Sequence, residues 1–204
     1  MLTIYLTRHG QTEWNVQKRM QGWGNGELTE SGIADAKKLA VRLQDTHIDK
    51  MYASTSKRAY ETAEIVRNGR DIPVIKDDLF REMCFGDWDG QYVDDIKSSC
   101  AEELRCFWET PHLFKREGNE SFAELQERTK KALQMLVEQN KDGDTILLVT
   151  HSIFLRTATA IIKQLPVSDI FTQDPPGNTS LTKVVYDGDT FKIEYEGDMS
   201  HVRD

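Results

Sequence analysis

The stretch that decides how this chain reads is Leu2-Thr3-Ile4-Tyr5-Leu6-Thr7-Arg8-His9-Gly10-Gln11-Thr12-Glu13-Trp14-Asn15. Leu2–Leu6 has the aliphatic, β-branched and aromatic content of a strand. It runs directly into an arginine beside a histidine. Where a buried strand opens into a loop, an imidazole can act as a nucleophile, and a fixed guanidinium beside it can grip a phosphate through two N–H groups. Gly10 leaves room for a ligand to approach the backbone. A surface loop that merely contains Arg-His-Gly is the competing reading, and the tripeptide alone does not separate the two.

Downstream, helices and strands alternate. Thr29 can cap a helix that carries Ile33, Ala36, Ala40 and Leu43 on one face. Lys50–Ala53 reads as a short strand, followed by a helix with Ala59, Ala63 and Val66 inward that stops at Gly69. Pro73-Val74-Ile75 reads as another short strand. Val93, Ile96, Cys100, Leu104 and Trp108 are spaced for one helix over about 92–109, ended before Pro111. Ser121-x-x-Glu124 is a capping box opening an amphipathic helix with Phe122, Leu125, Thr129, Ala132, Leu136 and Val137 on its stripe. Thr145–Thr150 is a continuous run suited to a strand buried on both faces, and 152–164 reads as a helix. Thr182–Tyr186 and Thr190–Tyr195 flank Asp187-Gly188, a hairpin signal. The alternation predicts an α/β fold with a mostly parallel central sheet and a C-terminal hairpin. Ligands of such sheets sit beyond the C-terminal strand ends, so His9 and His151, each directly after a predicted strand, are expected to face one crevice.

Composition narrows the field. The 204 residues suit one domain, 1–204, and show no repeat, low-complexity tract or linker. Apolar runs are too short to span a bilayer, so no membrane association is expected, and the N-terminus does not read as a signal peptide. Cys84, Cys100 and Cys106 form an odd set without metal-ligand spacing, which suits reduced thiols in a cytoplasmic protein. With 26 Lys+Arg against 34 Asp+Glu the net charge is −8, which argues against a nucleic-acid partner. The clustered cations of the proposed site run against that balance.

Arg8-His9-Gly10-x-Thr12-x-x-Asn15 resembles the signature of the histidine phosphatase superfamily, also called the phosphoglycerate mutase-like family. Leu28-Thr29-Glu30-x-Gly32, Ser54-x-x-x-Arg58-Ala59-x-x-Thr62-Ala63, Leu79-x-Arg81-Glu82 with Phe85-Gly86-x-Trp88-x-Gly90, Gly118-x-Glu120-Ser121 and Val149-Thr150-His151 follow in the family's order. Ser152 departs from the glycine that members often carry after the second histidine. The resemblance implies a three-layer α/β/α sandwich with one antiparallel strand, and a phosphatase that needs neither cofactor nor metal. It implies His9 as nucleophile, Glu82 as proton donor, and Arg8, Arg58 and His151 as the phosphate pocket, with Gln21 and Gly22 as further substrate contacts.

The chemistry is coherent. A phosphate monoester carries close to two negative charges, so a neutral imidazole attacks phosphorus without the repulsion an anion would meet. Arg8, Arg58 and a protonated His151 are expected to hold the equatorial oxygens, with Thr12, Asn15 and the Ser152 N–H as neutral donors. Glu82 must carry a proton for the leaving alkoxide, and its neighbours Phe80, Phe85 and Trp88 favour that by desolvation while the arginines oppose it. Asp77, Asp78 and Asp87 are alternative acids. Lys18-Arg19 and Lys115-Arg116 are candidates for the pocket rim, whereas His47, His112, His201 and Cys84 read as structural or exposed. The expected partner is a small phosphorylated metabolite; oligomeric state stays open, a homodimer included. Mutase-type transfer of phosphate back to substrate is a close variant, disfavoured by the short segment between Glu82 and Gly118. A zinc site built from His9, His151 and Glu82 lacks a His-Glu-x-x-His helix and would set a dication against two arginines. A catalytically inactive phosphoester-binding module is the remaining alternative.

Overall fold

In the computed structural model, which describes residues 1–202, β1 (Leu2–Arg8) and β4 (Thr145–Thr150) run parallel, with Thr3 opposite Thr145 and Arg8 opposite Thr150. Ile146, Leu147, Leu148 and Val149 are all fully buried, because β4 has helices on both faces. β2 (Lys50–Ser54) pairs parallel with β4, and β3 (Val74–Asp77) parallel with β2. β5 (Leu181–Tyr186) lies antiparallel to β1, and β6 (Phe191–Asp198) antiparallel to β5. The strand order is β3-β2-β4-β1-β5-β6. β5 alone opposes the common direction, as the resemblance implies, and Gly188 takes φ 108° in the hairpin turn.

After the one-turn α1 (Glu13–Val16), α2 (Glu30–Arg42) and α3 (Lys57–Arg67) cover one face of the sheet. Their Ala36, Leu39, Ala59, Ala63 and Val66 share a core with Met51, Ala53, Leu147 and Val149. Thr29 caps α2 through its hydroxyl, as its position predicts. A second core, holding Ile4, Leu6, Ile146 and Leu148 from the sheet, covers the other face.

The expected single helix over 92–109 is two, α4 (Val93–Ser99) and α5 (Ala101–Glu109), broken at Cys100 with φ −136° and ψ 44°. Ser98 and Ser99 donate their hydroxyls to the Asp94 and Asp95 carbonyls, a bonding that weakens a helix end. The break shifts the phase of the buried stripe. Phe107, not Trp108, enters the core, packing against Phe85, Trp88, Phe114, Phe122 and Phe171, while Trp108 stays 42% exposed. α6 (Phe122–Glu138) opens on the expected capping box, and with α7 (Ser152–Ile162) it completes the third layer.

The loop after β1 is pressed onto the start of α2. A Cβ on Gly10 would lie 2.7 Å from the Gly32 carbonyl oxygen, and one on Gly32 would run into the Gln11 backbone. Alanine at a helical glycine ordinarily stabilises by about 1 kcal/mol. Here the sign reverses: Gly32→Ala is expected to lose about 1–3 kcal/mol in urea unfolding, with reduced turnover because the displaced loop carries His9. A variant as stable as the parent would show that this loop yields without cost.

Candidate active site

The C-terminal ends of the parallel strands bring the candidate residues together. Because Arg8 lies opposite Thr150, the two histidines that follow those residues are neighbours, with ring centroids 5.2 Å apart and planes 60° apart. Ser54 ends β2, Arg58 lies in the first turn of α3, and Glu82 follows β3.

Arg58 joins these pieces. It is 1% exposed and donates from Nε to His9 Nε2 (3.2 Å) and from Nη2 towards His151 Nδ1 (3.0 Å). Its Nη1 and Nη2 also donate to the Gly24 (2.5 Å) and Gly22 (2.8 Å) carbonyls. A guanidinium has no acceptor, so both ring nitrogens it faces present lone pairs. The single hydrogen of each neutral ring is then on the far nitrogen. In His9 it is on Nδ1, donated to the Gly10 carbonyl at 2.8 Å. In His151 it is on Nε2, donated to Ser54 Oγ at 2.8 Å.

Burial lowers the pKa of His9 well below its ordinary 6.5, and the Arg58 and Arg8 charges lower it further. His151 is lowered well below 6.5 by burial and then by Arg58. The expected protonated His151 is therefore not its resting state: without an anion beside it, a buried ring facing two guanidiniums stays neutral. Burial also lowers Arg58 to about 10 and Arg8 below its usual value, and both remain cations at neutral pH.

A cavity of about 170 Å³ opens here, with Arg8, His9, Asn15, Gln21, Gly22, Arg58, Glu82 and Ser152 among its walls. Arg8 donates from Nη1 to the Pro176 carbonyl (2.9 Å), while its buried Nε has no hydrogen-bond partner among the described residues. Glu82 is 6% exposed; Oε1 accepts from the Met83 and Phe154 N–H groups (3.0 Å each) and Oε2 from Ile153 N–H (3.1 Å). The carboxylate thus sits on the first turn of α7, where unpaired N–H groups are available. Phe80, Phe85 and Trp88 are buried around this segment as expected, but backbone donors hold the carboxylate itself.

Two candidates stand behind the walls. His151 reaches the cavity through Arg58, and Thr12 Oγ1 lies 2.9 Å from Gln21 Oε1 and 3.1 Å from Asn15 Oδ1, bracing both. Asp77 caps the Leu79 N–H, Asp78 pairs with Thr55, and Asp87 pairs with Arg116. Of the basic pairs, Arg19 lines the cavity, stacked on Tyr92 at 3.9 Å, while Arg116 lies over Trp88. Sequence reasoning missed Asn178, which donates to the His9 carbonyl at 2.9 Å, and Met20, Trp108 and Ile153, which line the cavity. It also missed Asp89, whose carboxylate accepts from the Trp23 N–H and whose pKa burial raises to about 6. No periodicity or motif marks Asn178, Met20, Ile153 or Asp89, and the helical spacing assigned Trp108 to the core instead.

The family model for branch 1 of the histidine phosphatase superfamily matches residues 4–198. The chain belongs to that superfamily. The chain is 34% identical to phosphoserine phosphatase 1 of Hydrogenobacter thermophilus over 76% of its own length and 74% of that protein's. It is 29% identical to a 2,3-bisphosphoglycerate-dependent phosphoglycerate mutase of Cytophaga hutchinsonii, covering 83% and 81% of the two chains. Among solved structures, YhfR of Bacillus stearothermophilus superposes with a TM-score of 0.97 at 42% identity, covering 100% of both chains.

The neutral histidines make the stability of this protein depend on pH. Below 6.5 the unfolded chain protonates both rings while the fold does not, so stability falls with pH by up to about 1.4 kcal/mol per unit for each ring. Asp89 works the other way: its folded value of about 6 lies above 3.8, so the fold takes up that proton first and offsets part of the loss between those limits. Urea unfolding between pH 7 and pH 5 is expected to show a falling stability whose slope is shallower in His151→Gln. An unchanged slope would mean that His151 is protonated in the fold.

Proposed function

We propose that this protein hydrolyses phosphate monoesters of small metabolites through a phosphohistidine on His9, without a metal. The observation that carries the reading is the His9 Nε2 lone pair, fixed by the Gly10 carbonyl and set beside Arg58, in a cavity that also holds the unpartnered Nε of Arg8. The names of its relatives, phosphoserine phosphatase among them, support the same reaction class.

In the first step Nε2 attacks phosphorus and the bond to the leaving oxygen breaks. Arg58 releases Nε2 as the phosphoryl group arrives and, with Arg8, donates to its oxygens. Glu82 gives its proton to the leaving alkoxide. In the second step Glu82 takes a proton from water, the hydroxide attacks phosphorus, and the N–P bond breaks to release phosphate. Asn15, Gln21 and the Ser152 N–H serve as neutral donors, and Gly22 holds the loop close to the phosphate. A guanidinium donating to both imidazoles occupies the place where a dication would bridge them, which supports metal-independent chemistry.

The cavity volume suits a small substrate, and Met20, Phe85, Trp108 and Ile153 offer an apolar wall to the leaving group. The whole chain acts as one catalytic domain in this reading, and its three free cysteines support a reducing, cytoplasmic setting. Phosphoglycerate mutase-type transfer is the second reading, favoured by relatives of that name. A screen of phosphorylated metabolites with chelator present separates the two by whether free phosphate or a phosphorylated isomer accumulates.

His9→Ala is expected to abolish turnover with the fold intact by circular dichroism; an active variant contradicts the mechanism. Glu82→Gln is expected to slow alkyl phosphates by about 10²-fold or more and aryl phosphates less, because aryl leaving groups need less protonation. Equal losses across both classes would remove Glu82 as the proton donor.

A further inference from the structure

We infer that Ser54 is a positioning residue that keeps one proton on His151 Nε2, so that Nδ1, the nitrogen that faces Arg58, is the one that takes up a second proton when an anion binds. This rests on the proposed place of His151 in the phosphate pocket.

Ser54 is fully buried and its Oγ has two neighbours, His151 Nε2 at 2.8 Å and the Ser56 N–H at 3.2 Å. The Ser56 amide can only donate. The ring must donate as well, because Arg58 Nη2 claims the Nδ1 lone pair from the other side. Both lone pairs of the hydroxyl are thereby filled, and Ser54 acts purely as an acceptor towards the ring. The anchor belongs to the sheet rather than to a loop: Ala53 lies opposite Val149, which sets Ser54 level with Thr150, just before His151.

A histidine held this way neither rotates nor exchanges tautomers without leaving a buried N–H unpaired. Once Arg58 turns from the ring to an entering oxyanion, the exposed Nδ1 lone pair repels that anion until the nitrogen gains a proton from solvent. Nε2 keeps its hydrogen throughout. The ring therefore changes charge at the nitrogen that faces Arg58 while its other end stays fixed, with Arg58 free to turn from the ring to the phosphate. Ser54 never touches substrate in this scheme; it decides which nitrogen does.

The test combines nitrogen-15 NMR of the His151 ring with kinetics on phenyl phosphate. Wild-type protein is expected to show a protonated Nε2 and a bare Nδ1, and saturating inorganic phosphate should protonate Nδ1 with Nε2 unchanged. Ser54→Ala is expected to lower kcat/KM by about 10–100-fold, to move the acidic limb of its pH profile and to erase the tautomer preference. Ser54→Thr, which keeps the hydroxyl on a strand position, should restore most of the loss. A resting ring protonated on Nδ1, or a Ser54→Ala enzyme with wild-type kinetics and pH profile, overturns the inference. Should Ser54→Ala fail to fold, the wild-type spectra decide alone. His151→Ala separates the two readings: unimpaired turnover there removes His151 from the phosphate pocket, whereas an impaired His151→Ala beside an unaffected Ser54→Ala removes only the role of Ser54.

Discussion

A fully buried guanidinium is the constraint on which the rest of this molecule turns. Desolvating an ion costs several kcal/mol even after relaxation, and Arg58 meets that cost without an ion pair among the described residues. It is surrounded by four neutral acceptors: two backbone carbonyls, from Gly22 and Gly24, and two imidazole nitrogens. A carboxylate in direct contact would have satisfied the charge and cancelled its attraction for an anion. Neutral acceptors fix the geometry and leave the charge available. That choice explains why the chain folds the Gln21–Gly24 segment back over α3, and why two histidines from separate strands converge on one side chain.

The glycine-rich segment has its own support. Gly22 adopts φ 44°, a conformation glycine accepts readily, and a Cβ there would collide with the Asp89 carboxylate and with Phe85. Asp89 in turn accepts the Trp23 N–H. The half-buried carboxylate and Arg58 feel each other's charge across the loop without pairing. The loop carbonyls that hold the guanidinium are thus aimed by a residue on the far side of the chain turn. The same arrangement keeps His9 neutral: two guanidiniums oppose its protonation, and the Gly10 carbonyl directs the remaining hydrogen away from Nε2.

Much of this was readable from residues alone, and what was not has a physical reason. The β1-to-loop transition, the capping box at Ser121 and the hairpin signal are local, so short windows of sequence reveal them. The strand-end positions of His9 and His151 followed from a general property of parallel sheets, and the register of β1 on β4 makes them neighbours. The helix break at Cys100 was hidden because serine back-bonding competes with a good apolar periodicity, and it moved Trp108 from the expected core to the cavity wall. Asn178 and Asp89 act through long-range hydrogen bonds. Such bonds leave no pattern along the chain. The resting charge of His151 depends on burial and on Arg58, Arg8 and Arg128, which no window around Thr150-His151 contains.

The first turn of α7 shows how one structural element divides its donors between two tasks. A helix start offers unpaired N–H groups and a favourable dipole for negative charge. Those of Ile153 and Phe154 are committed to the two oxygens of Glu82, while Ser152, one residue earlier, lines the cavity. The same turn therefore orients the carboxyl and borders the place for the ester. The proposed acid is consequently held at a fixed distance from the proposed phosphate site by a rigid helix rather than by its own flexible side chain. A helix start that follows β4 directly, with His151 as its N-cap, ties that distance to the sheet register as well. In a protein with a net charge of −8, phosphate affinity cannot come from the overall field. It has to be built locally, by desolvating Arg8 and Arg58 at the strand ends and keeping the carboxylates near them engaged elsewhere.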